Sequence, residues 1–179
     1  MHGNFTPIRV NGWRFFMTLA HVLIVDDEVQ FVEAMVERLT IRDFQISSAF
    51  SGPQALTLLE KEPDIEVTVL DLKMPGMDGL EILKAIKIEH PFAQVIMLTG
   101  YSTIETVTAA MKLGAFDYLL KPYDMEKMVS LINEAAARKR NFDEKVREAR
   151  MIPYISERDR QELIDRIEAA AVTCRRNGI

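Results

Sequence analysis

Two short apolar runs in this chain end on acid: Val22-Leu-Ile-Val, followed by Asp26, Asp27 and Glu28, and Val67-Thr-Val-Leu, followed by Asp71. Such β-branched and aliphatic runs suit strands buried on both faces, as in a parallel sheet covered by helices. In open sheets of that kind ligand chemistry gathers at the carboxyl ends of the strands. Three carboxylates delivered to one rim repel each other unless a cation neutralises them, so the pattern asks for a hard divalent metal. The first expectation is an acidic, metal-loaded pocket on a doubly wound sheet.

The rest of the chain supplies such a sheet. After strand one, Val29 to Thr40 reads as an amphipathic helix with Val32, Met35, Val36 and Leu39 on one side. Strand two is expected over Phe44 to Phe50, then a helix entered through Ser51-Gly52-Pro53, with Pro53 where a first turn tolerates it. Strand three (Val67 to Leu72) leads through a Pro75-Gly76 loop to a helix over Leu80 to Ile88. Strand four (Val95 to Leu98) precedes a helix capped by Ser102 with Glu105 and ended by Gly114. Strand five (Tyr118 to Leu120) precedes a last helix from Asp124. Five β-α units in series predict a parallel sheet with helices on both faces.

The last helix runs on past the size of such a unit. From Asp124 to Arg150 it would be about 40 Å long, so it should project beyond the sheet. Pro153 breaks it, and Ser156 with Asp159 reads as the N-cap of a further helix bearing Leu163, Ile167, Ala170 and Cys174. That stripe needs a partner: the long helix folded back on it, or another subunit. Residues 1 to 17 show no clear period and read as an irregular leader, either a start-site artefact ahead of Met17 or a docking arm using Trp13, Phe15 and Phe16.

Charge and cysteine narrow the class. The 179 residues carry a net charge of −5. From Arg138 onward eleven Lys/Arg face eight Asp/Glu, which leaves the tail at +3 and the part before it at −8. A general nucleic-acid binder is disfavoured. One cysteine, no metal-ligand spacing around it and no run long enough to span a membrane point to a reducing cytoplasm. His2, His21 and His90 share no metal spacing and read as surface or strand-edge residues. Met74, Met77, Met97, Met111, Met125 and Met128 read as core filling.

Two further strand ends complete the chemistry: Thr99 offers a hydroxyl and Lys121 an ammonium. With Asp26, Asp27 and Asp71 as oxygen ligands for a Mg2+-like ion, one carboxylate would be caged by a metal, a hydroxyl and an ammonium. That arrangement stabilises a phosphoryl group while the carboxylate acts as nucleophile, and the expected product is an aspartyl phosphate.

The pair Asp26-Asp27, the segment Asp71-Leu-Lys-Met-Pro-Gly-Met-Asp-Gly79, Leu98-Thr99-Gly100 and Lys121-Pro122 stand in the order and at the spacings of the receiver domains of two-component response regulators, which this chain resembles over residues 20 to 137. The resemblance implies a flavodoxin-like, five-stranded parallel sheet of order 2-1-3-4-5, flanked by the leader (1–19) and a helical tail (138–179). It implies that Asp71 accepts a phosphoryl group from a histidine kinase or histidine phosphotransfer protein. Asp27, Asp71 and the backbone carbonyl of Lys73 would hold Mg2+ (or Mn2+), with Asp26 acting through metal-bound water. Thr99 and Lys121 would contact the phosphoryl oxygens, Tyr118 would be the aromatic switch coupled to Thr99, and a cis Lys121–Pro122 bond would let Lys121 reach back over the pocket. Lys73 and Tyr101 would flank the site, and a bulky Tyr101 suggests a shielded, long-lived phosphate.

The first functional expectation is thus a phosphorylation-switched signalling domain, not an enzyme in its own right. Its output face would span helix four, strand five and helix five, roughly Ser102 to Glu134, with the tail dimerising or docking a protein partner. A second is a Mg2+-dependent phosphatase; enzymes resembling the haloacid dehalogenase class carry Asp-x-Asp after the first strand, whereas these acids are adjacent and Asp71 follows strand three. A third is a truncated or atypical transcriptional regulator binding DNA through its tail. The motif region is similar to receivers that precede an ATPase, but no Gly-x-x-x-x-Gly-Lys loop follows, and tail arginines alternate with acids in the manner of a solvated face.

Overall fold

A computed structural model of the chain describes residues 8–10, 13–15, 19–100 and 103–173. It begins with β1 (Ile8–Val10) and β2 (Trp13–Phe15), paired antiparallel with Ile8 opposite Phe15 and Val10 opposite Trp13. Within the leader that was expected to be irregular, these two strands are the described part before residue 19. Asn11-Gly12, which separates the two strands in sequence, is a favoured two-residue hairpin connection. Strands of three residues are too short to reveal a period.

The main sheet consists of β3 (His21–Val25), β4 (Gln45–Ala49), β5 (Val67–Asp71), β8 (Gln94–Thr99) and β9 (Asp117–Leu120). All pairs are parallel and the order is β4-β3-β5-β8-β9, the expected 2-1-3-4-5. Between β5 and β8 lies a small ribbon of β6 (Lys73–Met74) and β7 (Met77–Asp78). Helices α1 (Val29–Thr40) and α5 (Met125–Met151) cover one face of the sheet, where Val22, Ile24, Val69, Ile96 and Leu98 meet Val32, Met35, Leu39, Met128 and Ile132. On the other face Leu23, Val25, Leu70, Val95 and Met97 meet α2 (Gly52–Lys61), α3 (Gly79–Glu89) and α4 (Ile104–Leu113). The three inner strands, β3, β5 and β8, are buried throughout and contribute alternate residues to the two cores, and because both cores are apolar these strands read as near-continuous hydrophobic runs. Fully burying one such aliphatic side chain stabilises the fold by about 1.5–3 kcal/mol.

Local signals set the helix ends, with two departures from expectation. Ser51 caps α2, its hydroxyl accepting from the Gln54 N–H at 3.4 Å, and Gly114 closes α4 in the left-handed region at φ 96°. Thr103, however, is the N-cap of α4: its hydroxyl accepts from the Thr106 N–H at 3.2 Å, while the Thr106 hydroxyl accepts from the Thr103 N–H at 3.0 Å. This reciprocal Thr-x-x-Thr pair replaces the expected Ser102–Glu105 cap, and Ser102 itself lies outside the described residues. His21, expected as a surface or strand-edge residue, opens β3 and is 5% exposed. Asp64 and Ser47 hold its ring on both nitrogens, at 3.0 and 2.8 Å, so the imidazole is satisfied within the fold.

The tail is a helical hairpin. α5 is a single helix through Met151, and where it passes the base of the sheet Arg140 grips Glu66 with two N–H groups (2.5 and 2.8 Å) while Phe142 stacks on Phe92 at 5.5 Å between ring centres. α6 (Glu157–Thr173) packs back on α5. Its N-cap is Ser156, whose hydroxyl accepts from the Asp159 N–H at 3.1 Å. Ile164 is the buried residue of α6, with Leu163 and Ile167 of the expected stripe half-buried beside it; Ala170 is exposed, and Cys174 lies outside the described residues. Arg160 locks the turn, donating to the carbonyls of Ala149 (3.2 Å), Arg150 and Ile152 (3.3 Å), which α5 leaves without intrahelical partners. Of the two partners left open for α6, the folded-back helix is the one observed. Among the described residues no helix is long and apolar enough to cross a membrane.

Charge-assisted caps of this kind contribute about 1–2 kcal/mol locally. Arg160→Ala should therefore accelerate amide hydrogen exchange in α6 about 5- to 30-fold and leave the exchange of the sheet strands unchanged; unaltered α6 exchange would contradict the clasp.

Candidate functional site

Parallel register builds the site. Val25 pairs with Leu70, Asp71 with Leu98 and Thr99 with Leu120, so Asp71 and Thr99, in the last pairs, and Asp26 and Lys121, just beyond them, share one rim. Main-chain bonds extend the pairing past the strands: Asp26 N–H to the Ala49 carbonyl (3.2 Å), Leu72 N–H to Leu98 (3.3 Å) and Lys121 N–H to Thr99 (2.8 Å). The last of these ties the two phosphoryl-contact candidates together through the backbone.

Asp26 and Asp71 are both buried. Between them sits the Lys121 ammonium, with Nζ 2.5 Å from Asp26 Oδ2 and 3.2 Å from Asp71 Oδ1. The outer oxygens are held by backbone: Asp26 Oδ1 accepts from the Glu28 N–H at 2.9 Å and Asp71 Oδ2 from the Lys73 N–H at 2.7 Å. Both carboxylates are thus oriented from two sides. Thr99 is buried beside them, and the Lys121–Pro122 bond is cis.

Burial is the largest influence on Asp71 and raises its pKa above the usual carboxylate value; Lys121 and the Lys73 N–H pull it back, and Asp26 pushes it further up. For Lys121, burial alone would favour the neutral amine, but the hydrogen bond to Asp26 and the charges of Asp71 and Asp26 together outweigh it, so its pKa is raised. The ammonium is held charged, which is what a site receiving an anion requires.

Asp27 is exposed and stands apart from this buried triad. It lines, with Lys73, Met74, Pro75 and Thr106, an open cleft of about 780 Å³ beside the strand ends. Among the described residues no three acidic, histidine or cysteine side chains already converge as a metal cage. The cation that three rim carboxylates were expected to require is in part Lys121 itself. The remaining donors, Asp26, Asp27, Asp71 and the Lys73 carbonyl, are hard oxygens of the kind that hold Mg2+ or Mn2+ together with water, so the residues present fit such an ion.

Tyr118 is half-buried and packs, with Met111 and Leu113 of α4, against the core on that face. Tyr101 lies outside the described residues.

Two contributors escaped sequence reasoning. Gly79 donates its N–H to the Leu72 carbonyl at 2.9 Å, and a Cβ there would come within 2.7 Å of Leu72 Cα and closer still to the Asp71 carbonyl. Only glycine lets α3 begin this near the acidic strand end. Asp78 just before it caps α3 and forms a box with Glu81, an Asp-x-x-Glu signal that was legible. Phe31 of α1 is the second: Lys121 Nζ lies 4.0 Å above its ring centre, a contact no spacing announces.

With this geometry in place, comparison with known proteins is informative. The family model of the response regulator receiver domain matches residues 22–133. A putative NtrX-like response regulator of Rickettsia bellii is 40% identical over 121 residues, covering 66% of this chain and 25% of the relative; the chain thus spans about a quarter of the length of such curated relatives. A response regulator receiver domain protein from Clostridium thermocellum superposes with a TM-score of 0.66 at 35% identity, over 69% of this chain and 98% of that one. A chain of a CheX–CheY–BeF3–Mg2+ complex from Borrelia burgdorferi is similar in structure, with a TM-score of 0.60 at 31% identity over 63% and 86% of the two chains.

The raised pKa of Asp71 has a stability consequence. The folded state binds the Asp71 proton more tightly than the unfolded one, so the ionised carboxylate subtracts from stability; the penalty is absent below the ordinary carboxylate range and grows as pH rises through the window between the ordinary and raised values. Asp71→Asn should therefore melt higher than the parent at neutral pH in chelator, and the gain should vanish below about pH 4. A variant that melts lower at neutral pH would contradict this.

Proposed function

The chain belongs to the family of response regulator receiver domains, and we propose that in this member Asp71 accepts a phosphoryl group from a histidine kinase or histidine phosphotransfer protein and thereby switches a protein-binding surface. The observation that carries this reading is the single ammonium of Lys121 bonded to both Asp26 and Asp71 at the rim of the sheet.

In the transfer, an oxygen of the ionised Asp71 carboxylate forms a bond to phosphorus as the bond from phosphorus to the donor imidazole nitrogen breaks, and the imidazole leaves with that electron pair. The Lys73 N–H orients the nucleophile. Lys121 neutralises negative charge on the incoming oxygens, and the Thr99 hydroxyl is the neighbouring donor. Asp26, Asp27, Asp71 and the Lys73 carbonyl would hold Mg2+ or Mn2+, which supplies further neutralisation of the transferring group when bound. The imidazole departs neutral because its other ring nitrogen carries a proton, taken up on the donor's side, so this chain's own residues have an electrostatic and positioning task.

Downstream, a change at Lys121 and Thr99 is passed to β9 and α5 on one side and to α4 on the other, with Tyr118 packed between. The face made by α4, β9 and α5 carries exposed Ile104 (82%) and Leu120 (46%), apolar groups suited to a protein partner. A protein partner or a second copy is favoured over DNA for the tail because its charges are mixed and three of its arginines are engaged at home: Arg140 with Glu66, Arg158 with Glu162 and Arg160 with the end of α5. The domain acts as a phosphoacceptor in the cytoplasm, where its donors reside, and does not turn over external phosphate esters.

Phosphotransfer profiling against the host's phosphorylated histidine kinases tests the proposal. One kinase should label the chain in Mg2+, chelator should abolish labelling, and Asp71→Asn should reduce it to background. Undiminished labelling of Asp71→Asn, or robust multi-turnover hydrolysis of a generic phosphate ester, would overturn it.

A further inference from the structure

Lys121 reaches the acidic pair on a flexible four-carbon stem, and its ammonium is a point charge with three rotatable donors. Two directions around it are taken by Asp26 Oδ2 and Asp71 Oδ1. A third is closed by the ring of Phe31, whose centre lies 4.0 Å from Nζ. That ring is itself held. Tyr123 meets it in a T-shaped contact, with ring centres 6.4 Å apart and planes at 82°, and the Tyr123 hydroxyl donates to Sδ of Met35 at 2.5 Å. Met35 is buried and lies one turn after Phe31 on α1. The chain of contacts therefore closes on itself: Lys121 and Tyr123 come from the segment after β9, and Phe31 and Met35 come from one face of α1.

We propose that Phe31 is a positioning residue for Lys121, its ring face holding the ammonium over Asp71 for phosphoryl transfer; the inference rests on Asp71 being the phosphoacceptor. The chemical logic is that of a ligand that attracts without competing. A third carboxylate here would hold the ammonium away from the incoming phosphoryl oxygens and add negative charge to the site. An aromatic face attracts a cation and carries no net charge, so the ammonium stays in place and remains available. Leucine fills comparable space but offers no such face.

The test uses the full chain with Phe31→Leu and Phe31→Tyr. The first readout is the NMR chemical shift of the Lys121 ε-methylene protons in chelator. Seated over a ring face they are shifted upfield in the parent and in Phe31→Tyr, and return to the ordinary lysine position in Phe31→Leu. The second is the rate of phosphorylation by acetyl phosphate in Mg2+. At saturating donor Phe31→Leu should slow it about three- to tenfold without changing the half-saturating donor concentration, and Phe31→Tyr should retain most of the rate. Thermal melts establish that both variants are folded; a Phe31→Leu chain that unfolds leaves the parent and Phe31→Tyr shifts to decide the contact. No upfield shift in the parent, a parental rate in folded Phe31→Leu, or a loss in Phe31→Tyr equal to that in Phe31→Leu overturns the proposal. If the shifts behave as expected but no chain is phosphorylated, Phe31 still seats Lys121 and the role of Asp71 is what fails.

Discussion

A single ammonium held between two buried carboxylates is the contact on which the rest of this structure depends. Asp26 and Asp71 arrive at the rim because β3 and β5 run parallel in one register, and burial makes their proximity costly. Lys121, just after the far edge strand, offsets that cost at 2.5 and 3.2 Å. Each carboxylate spends its other oxygen on a backbone N–H two residues on, so neither is free to rotate away. The site is a spring-less balance of charge: Asp71 remains partly penalised by burial, and an anion added to it meets a cation already in position.

The same contact links the site to the rest of the molecule. Lys121 directly follows β9, is bonded through its N–H to the Thr99 carbonyl, and stands just before α5, which continues without a break to Met151. Whatever alters the bond between Lys121 and Asp71 acts at the start of a helix whose far end carries the α6 hairpin. Arg140 on Glu66 and Phe142 on Phe92 fasten that helix to the base of the sheet, and the Arg160 clasp closes its turn. A partner reading the tail and a partner reading the α4–β9–α5 face would both be reading elements that originate at this rim.

Much of this was legible in the sequence because it depends on local pattern. Apolar runs ending at Asp26-Asp27 and at Asp71, and helices between them with apolar spacing of three to four, specify a parallel sheet whose acidic ends converge. The length of α5 and the Ser156 cap were equally readable. What was not legible depends on direction and long-range approach. Spacing places Lys121 at the rim but cannot say that it bonds Asp26 more closely than Asp71, nor that Asp27 points to the cleft instead of joining the pair. The need for glycine at position 79 arises from a main chain brought close only by folding, and Phe31 counts as one more apolar residue until its ring is seen under an ammonium. Spacing likewise left His21 open between surface and strand edge, because the partners that hold it at the start of β3, Ser47 and Asp64, are distant in sequence. The short β1–β2 ribbon and the Thr103 cap were missed where weaker local signals lay beside more familiar ones.

The most direct test of the account is to locate the phosphoryl group chemically. After reaction with a phosphodonor in Mg2+, borohydride reduction converts an aspartyl phosphate to homoserine, which mass spectrometry maps to a residue. The account predicts conversion at Asp71 alone, dependent on Lys121. Conversion at Asp26 or Asp27, or none at any aspartate of a folded, metal-supplied chain, would contradict it.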